Sequence, residues 1–455
     1  MKLKPRDVQT QVKHKILERY LGAWGGIILN GLSSRAQSYR KPINAHFVYV
    51  DCFSYIGKYS GDIENIWLEQ SSENVLGSPF IGIHALDRLV EQAKNYSNVS
   101  ISTNVILIEE NTQNFSWLVE NLKLEGLESR LKNTINFQNL RPSEIAVVNA
   151  DSTKLQQELL KFTNRKYTWA FYLLDPYGGK GIPYQFVQSI IEAPNHDVMI
   201  NFIYYDLAKK AGATVVGGEV SEKQKKHVDH WTKVFNSSEW IDIKKEIEDL
   251  RETRDTLIEA VGLTQEEAEK DPIFDGLKTK VTDVQLRNLT ERRLVDLYQT
   301  TLENMDPGVL VKSIRLRFPD KDRPMFYLFL TTHDATGALE LNKILSDAEL
   351  WEHELRYIRR SIKKQLPPPG QLTLFPPAVP EVPILQDKRP PIQVCADLLM
   401  LKFHGKNLSV REIYKKMANE EFFQSEIGKA LTLLKKDKKI SYPGKRGYDT
   451  IVDFR

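Results

Sequence analysis

The sequence predicts an α/β fold. The expected plan is a sheet of five parallel strands with helices on both faces, closed by a C-terminal antiparallel hairpin, with a helical insertion and a small C-terminal domain. Three observations predict it. Short apolar runs recur at 46–51, 105–109, 145–151, 171–175 and 198–203, and helical patterns lie between them, as at 79–95, 113–124 and 154–163. Strands that alternate with helices need crossover connections, and those build a parallel sheet. Later, VKSIRLRF (311–318) and MFYLFLTT (325–332) flank the polar turn PDKDRP, which reads as a hairpin.

The elements follow in order. A helix is expected at 11–22; its His14 and Tyr20, and His84 in the helix after GSPF, read as packing or surface residues rather than chemistry. The first four strand runs each reach an acid: HFVYVD at Asp51, VILIE at Glu109 or Glu110, IAVVNAD at Asp151 and FYLLD at Asp175. VMINFI (198–203) is the fifth. The rhythm then stops, and 215–304 is charged and mostly helical, an insertion before the hairpin. Segment 366–384, LPPPGQLTLFPPAVPEVPI, is a linker, because proline at that density supplies few donors for a helix or ladder. Its Leu374–Phe375 pair is an apolar anchor. Beyond it, helices are expected at 391–404, at 409–418 with the capping box Ser409–Glu412, and from Ser425. KISYPGKRGYDTIVDF then reads as two short strands. Three helices and a hairpin are a winged-helix plan. The expected boundaries are 1–214 for the core, 215–304 for the insertion, 305–365 for the end of the core, 366–388 for the linker and 389–455 for the C-terminal domain.

Composition narrows the class. A chain of 455 residues, 41% hydrophobic and 27% charged, is a globular protein of two or three units. No apolar run approaches the ~20 residues that span a bilayer. MKLKPRDVQTQVKHK is basic without an apolar stretch, unlike a secretory signal. Cys52 and Cys395 have no metal-ligand spacing and read as reduced thiols of a cytoplasmic protein. The net charge is +3, yet residues 390–455 carry 13 Lys+Arg against 8 Asp+Glu, a net of +5. Basic surface therefore concentrates at the C-terminus, where a nucleic-acid partner is expected.

Ligands of open α/β sheets bind at the carboxyl ends of the strands. Four acids there would gather negative charge in one crevice. That suits a ligand with hydroxyls, amines and a positive centre, such as S-adenosylmethionine. There is no GxxxxGK[ST] phosphate loop. In DCFSYIGKYSG (51–61), Asp51, Phe53 and Gly57 are candidates for the methionine end, with Gly57 allowing close approach of backbone. Glu109 or Glu110 is the candidate for the ribose. Asp151 is a candidate for the adenine amine, or equally a helix N-cap.

Asp175-Pro176-Tyr177-Gly178 is the most specific signal. An amine on a base is a poor nucleophile, and a carboxylate with a backbone carbonyl held by proline would favour its sp³-like transition state. Tyr177 would stack on the base. With its carboxylate at the pocket mouth, Asp175 is expected to be replaceable without unfolding. The same four residues also make a good β-turn.

KHKILERYLGAW, FVYVDCFSYIGKYSG, GSPFIGIHAL, FYLLDPYG, INFIYYD, FYLFLTTHDATGALELNKIL and REIYKKM together resemble the bacterial three-Cys-motif partner proteins. That resemblance covers most of the chain. It implies a Rossmann-like class I methyltransferase sheet using S-adenosylmethionine. The D-P-F/Y-G motif is similar to that of tRNA guanine N2-methyltransferases. It also implies a partner: the three cysteines belong to a radical-SAM-like protein encoded alongside. The first loop departs from the family pattern D-x-F-A-G-x-G, with Ser54 and Tyr55 replacing Ala and the first Gly. Tyrosine is strained there if the position needs positive φ. Two readings follow. One is an N-methyltransferase acting on an exocyclic amine of a nucleic-acid base. The other is a non-catalytic protein of methyltransferase shape that works with the three-Cys partner or nucleic acid.

Overall fold

The computed structural model describes residues 3–67, 75–176, 181–211, 222–243, 245–246, 283–366, 377–378, 380–383, 389–444 and 446–455. The anchor Leu374–Phe375, most of the linker and the middle of the charged 215–304 stretch lie outside the described residues. The elements of the first half are α1 (Val8–Tyr39), β1 (Ile43–Asp51), α2 (Ser78–Ala93), β2 (Val99–Ile108), α3 (Thr112–Leu124), β3 (Leu131–Lys132), β4 (Ile145–Val148), α4 (Gln156–Thr163), β5 (Thr168–Leu174), α5 (Tyr184–Ile191) and β6 (His196–Phe202). Those of the second half are α6 (Tyr204–Ala211), α7 (Glu222–Phe235), α8 (Asp283–Glu303), β7 (Leu310–Arg317), β8 (Pro324–Thr332), α9 (Ala335–Gln365), α10 (Ile392–Phe403), β9 (Asn407–Ser409), α11 (Val410–Met417), α12 (Gln424–Lys436), β10 (Ile440–Ser441) and β11 (Ile451–Phe454).

The central sheet has eight strands in the order β3-β4-β2-β1-β5-β6-β8-β7. Neighbouring pairs from β3 through β6 are parallel, and β7 and β8 are antiparallel to each other. The five expected strands and the hairpin are all present, and the two-residue edge strand β3 is added. Side chains alternate across the sheet, which splits the core in two. Phe47, Tyr49, Phe171 and Leu173 face a cluster that includes Tyr20 and Trp24 of α1 and Phe80 and Leu86 of α2. On the other face Tyr172 bonds Thr163 of α4, and His46 meets the Phe162 ring edge-on. Gly82 is what lets Tyr49 in: a Cβ there would lie 2.1 Å from the Tyr49 ring.

α1 is far longer than the expected 11–22. Gly22, Gly25, Gly26 and Gly31 weaken a helical reading of its second half. Gly25 has a packing reason, since a Cβ there would come within 2.6 Å of Leu89 on α2. The two helices sit too close for a side chain.

The chain divides into two compact units: residues 1–175, 189–201 and 308–455 form one, and 176–188 with 202–307 the other. In the second unit, Phe202 stacks on Tyr298 at 4.3 Å between centroids and meets Trp231 edge-on. The Gly181 N–H donates to His230 Nε2 of α7. In the first unit, residues 389–455 fold as α10, α11 and α12 with a three-stranded antiparallel sheet, order β9-β11-β10. They bury their own apolar cluster, joined by Leu339 of α9. Asn342 of α9 donates to the carbonyls of Glu420 and Phe422, and Lys312 of β7 to that of Glu420. Among the described residues, no helix is long and apolar enough to cross a membrane.

Candidate functional site

Register fixes which acids meet. Asp51 pairs across β1 with Leu107 of β2 on one side and Leu173 of β5 on the other. Glu109 and Asp175 therefore stand two residues past Asp51 on its two neighbours. Leu174 pairs with Ile200, so Asp175 is level with Asn201 at the end of β6. All belong to the first unit.

Asp51 is fully buried. Its Oδ1 accepts the Phe53 N–H at 3.1 Å. The Tyr49 hydroxyl lies 3.4 Å from Oδ2 and 3.2 Å from the Ser78 carbonyl, so one proton serves two acceptors. Burial pushes the Asp51 carboxyl up to about 7, hydrogen bonds from Ser78 and Phe53 pull it back in part, and Asp175 and Glu109 add upward pressure. The three acids thus feel one another. Among the described residues, no three His, Cys, Asp or Glu side chains group to hold a metal ion.

The loop after β1 is pinned strand by strand: Cys52 N–H to the Leu173 carbonyl, Ser54 N–H to that of Ile108, and Ser54 Oγ to that of Asp51. Tyr55 has φ +50°, so the turn does demand the left-handed region, and a tyrosine adopts it. That costs about 1–2 kcal/mol. Glu109 offsets the cost, because its Oε2 accepts the Tyr55 N–H at 2.8 Å. Its Oε1 takes the Asn111 N–H at 2.9 Å. Of the two neighbouring glutamates, Glu109 is buried against the loop and Glu110 is exposed. Gly57 has φ +73°, and a Cβ would lie 3.0 Å from Phe80 and 3.1 Å from Leu118. Packing against two side chains is therefore sufficient reason for this glycine.

Asp151 caps the short 3₁₀ helix Ser152–Leu155: its Oδ1 accepts from the Thr153 N–H at 3.0 Å and from Thr153 Oγ1 at 2.7 Å. Asp175 is one-fifth exposed and both of its carboxylate oxygens are engaged, which raises the expected cost of replacing it. Its Oδ2 pairs with the Lys13 ammonium of α1, and its Oδ1 accepts from Asn201 Nδ2 at 2.7 Å. Pro176 is buried. Tyr177 and Gly178 lie outside the described residues. His84 is exposed. His14 is buried, edge-on to Tyr59, and burial followed by Arg6 and Lys13 holds its pKa well below the usual range. The Tyr20 hydroxyl donates to buried Asp197 at 2.6 Å.

Sequence reading missed two residues. Lys13 interrupts the buried stripe Val12, Ile16, Leu17 and Tyr20, and a lysine on an apolar helix face signals a buried partner. Asn201 lies next to the end of an apolar strand; its Oδ1 is buried with no hydrogen-bond partner among the described residues.

No family model matches the chain, and no curated protein matches it. Among solved structures, the crystal structure of a Legionella pneumophila protein described by the family model DUF519 is similar at a TM-score of 0.33 and 9% identity, over 74% of this chain and 92% of that one. A likeness that weak assigns neither family nor activity.

Proposed function

We propose that this chain is an S-adenosylmethionine-dependent methyltransferase acting on an exocyclic amine of a nucleic-acid base, with a winged-helix-like domain at 389–455 contributing to substrate recognition. The observation that carries the reading is the meeting of Asp51, Glu109 and Asp175 at one end of adjacent parallel strands, with the unpartnered Asn201 oxygen beside them. Six parallel strands followed by a hairpin whose second strand returns beside β6 also support a class I methyltransferase sheet. The donor set fits the cofactor. A carboxylate that titrates near 7 when buried gains from a cationic neighbour, and each carboxylate has lone pairs beyond those now used.

S-adenosylmethionine supplies an electrophilic methyl group when bound. Asp51 and Glu109 would hold it, and Glu109 at the same time keeps the Tyr55 turn closed. Asp175 and Asn201 present acceptors to an amine: a carboxylate oxygen and an amide oxygen on adjacent strands. Lys13 pairs with the second Asp175 oxygen and so holds the carboxylate in place as an acceptor for the nitrogen that becomes positive. Alignment does most of the work, because a displacement on carbon needs little acid–base help. Asp151 is not required as an adenine ligand, since its cap accounts for it.

The test is thermal denaturation with S-adenosylhomocysteine. A ligand that binds only the folded chain raises the melting temperature, and Glu109→Gln should reduce the rise. No shift at millimolar ligand would favour the second reading, a methyltransferase-shaped binding protein working with a three-Cys partner or nucleic acid. The tyrosine held at positive φ in the first loop is the observation on its side.

A further inference from the structure

A groove of about 620 Å³ opens between α9 and the C-terminal elements, away from the acids of the strand ends. Three elements each send one cation to it: Lys343 from α9, Lys429 from α12 and Arg446 from the loop between β10 and β11. One acid, Glu340, lines it among the described residues. The neighbouring acid Glu426 is already engaged by Arg389 at 2.6 Å. Lys343 and Lys429 are exposed.

Arg446 is held rather than loose. Its Nη1 donates to the Gly428 carbonyl at 2.8 Å, and a Cβ on Gly428 would lie 2.9 Å from Nη2. Glycine inside a helix is less favourable than alanine. Here its missing side chain is the space in which the guanidinium sits. A guanidinium fixed in place, with donors left over, meets a phosphate with less ordering cost than a free side chain does. Two exposed lysines beside it add charge without fixed geometry.

We infer that this groove binds a nucleic-acid strand through its phosphates, with Lys343, Lys429 and Arg446 as the contacts. The inference rests on the nucleic-acid part of the proposed function and not on methyl transfer. A groove this large exceeds what one phosphate needs, and cations from three separate elements suit successive phosphates along a strand.

The test is fluorescence anisotropy of a labelled single-stranded RNA over a range of salt, with the full chain and its variants. Reversing the charge at Lys343→Glu and Lys429→Glu should weaken binding about tenfold each at low salt. The slope of log affinity against log salt should shrink by about 0.7 per lost contact. Gly428→Ala leaves the charge unchanged but displaces Arg446, so it should weaken binding several-fold while the helix signal in circular dichroism persists. Equal affinity and slope for wild type and variants would overturn the inference, as would equally effective competition by polyglutamate of matched charge. Absence of any RNA binding by the wild type would overturn it too. S-adenosylhomocysteine shifts measured on the same samples report the methyltransferase reading separately, so either can fail alone.

Discussion

Replacing Asp175 by alanine should destabilise the protein, for a reason located at Lys13. The side chains of Lys13 and Asp175 are 11% and 20% exposed, and their ion pair joins α1 to the end of β5. Removing one partner of a buried pair leaves an uncompensated charge and typically costs about 3–5 kcal/mol; the partial exposure here lowers the expectation to about 2–4. Asn201 would also lose the acceptor of its Nδ2 hydrogens, about 1 kcal/mol of that total. Lys13→Met removes the ammonium and leaves Asp175 with Asn201 and some water, so it should cost less. The double variant Lys13→Met/Asp175→Ala should be more stable than Asp175→Ala alone. Urea titrations followed by circular dichroism at unchanged m measure all four corners of the cycle, and the coupling should be about 2 kcal/mol. If Asp175→Ala unfolds at the wild-type urea concentration, or the two substitutions add without coupling, the pair has no energetic role.

Further predictions come from the same site and its surroundings. Asp51 titrates near 7 when folded against 3.8 as a model compound, so the folded chain holds an extra proton between those values and loses stability as pH rises through 7. Relative to Asp51→Asn, wild type should lose about 1.4 kcal/mol between pH 6 and 8; a pH-independent difference in urea midpoints would contradict this. Gly57→Ala should destabilise by about 1–2 kcal/mol, from positive φ and contact with Phe80 and Leu118, whether or not a ligand is added. A chain ending at Gln365 should fold but uncover Leu339, now 1% exposed, and unpair Asn342. Its stability should fall by about 2 kcal/mol in urea, and an unchanged midpoint would show that the C-terminal elements do not support α9.

The sheet was legible because buried parallel strands are short apolar runs with few alternatives. FYLL and VILI could hardly be anything else between helical patterns, and the 311–332 hairpin declares itself by its polar turn. The two-residue β3 and three-residue β9 carry no such pattern, since their pairing is set by neighbours distant in sequence. The full length of α1 was hidden by its glycines; the packing reason for one of them, Gly25, is Leu89, 64 positions further on. At the site, the four strand-end acids were readable by position. What each one does was not, because a carboxylate's role is set by its donor. Thr153 lies two residues from Asp151, so the cap was a foreseeable alternative. Tyr55 is 54 residues from Glu109 and Lys13 is 162 from Asp175, and no local pattern connects them.

Those donors divide the acids by what a ligand could change. Asp151 is satisfied by its own turn, and Glu109 is a strut between β2 and the loop after β1. Disturbing either alters the backbone before it alters any chemistry. Asp175 is paired with Lys13. Asp51 alone among the four is fully buried with no cation paired to it among the described residues, and burial moves its proton equilibrium to neutral pH. A fold selected only for stability would gain by placing asparagine there, because an ionised carboxylate without a partner is costly inside a protein. Retaining aspartate makes sense if something positive arrives. A cation beside Asp51 would draw its pKa down and recover the stability that Asp51 costs the protein above pH 7. Binding of such a ligand should therefore release about half a proton at pH 7, from the group near its midpoint. Calorimetric titrations of S-adenosylhomocysteine in buffers of different ionisation enthalpy measure that proton directly. A release that vanishes in Asp51→Asn locates it, and an unchanged release would assign it to another group.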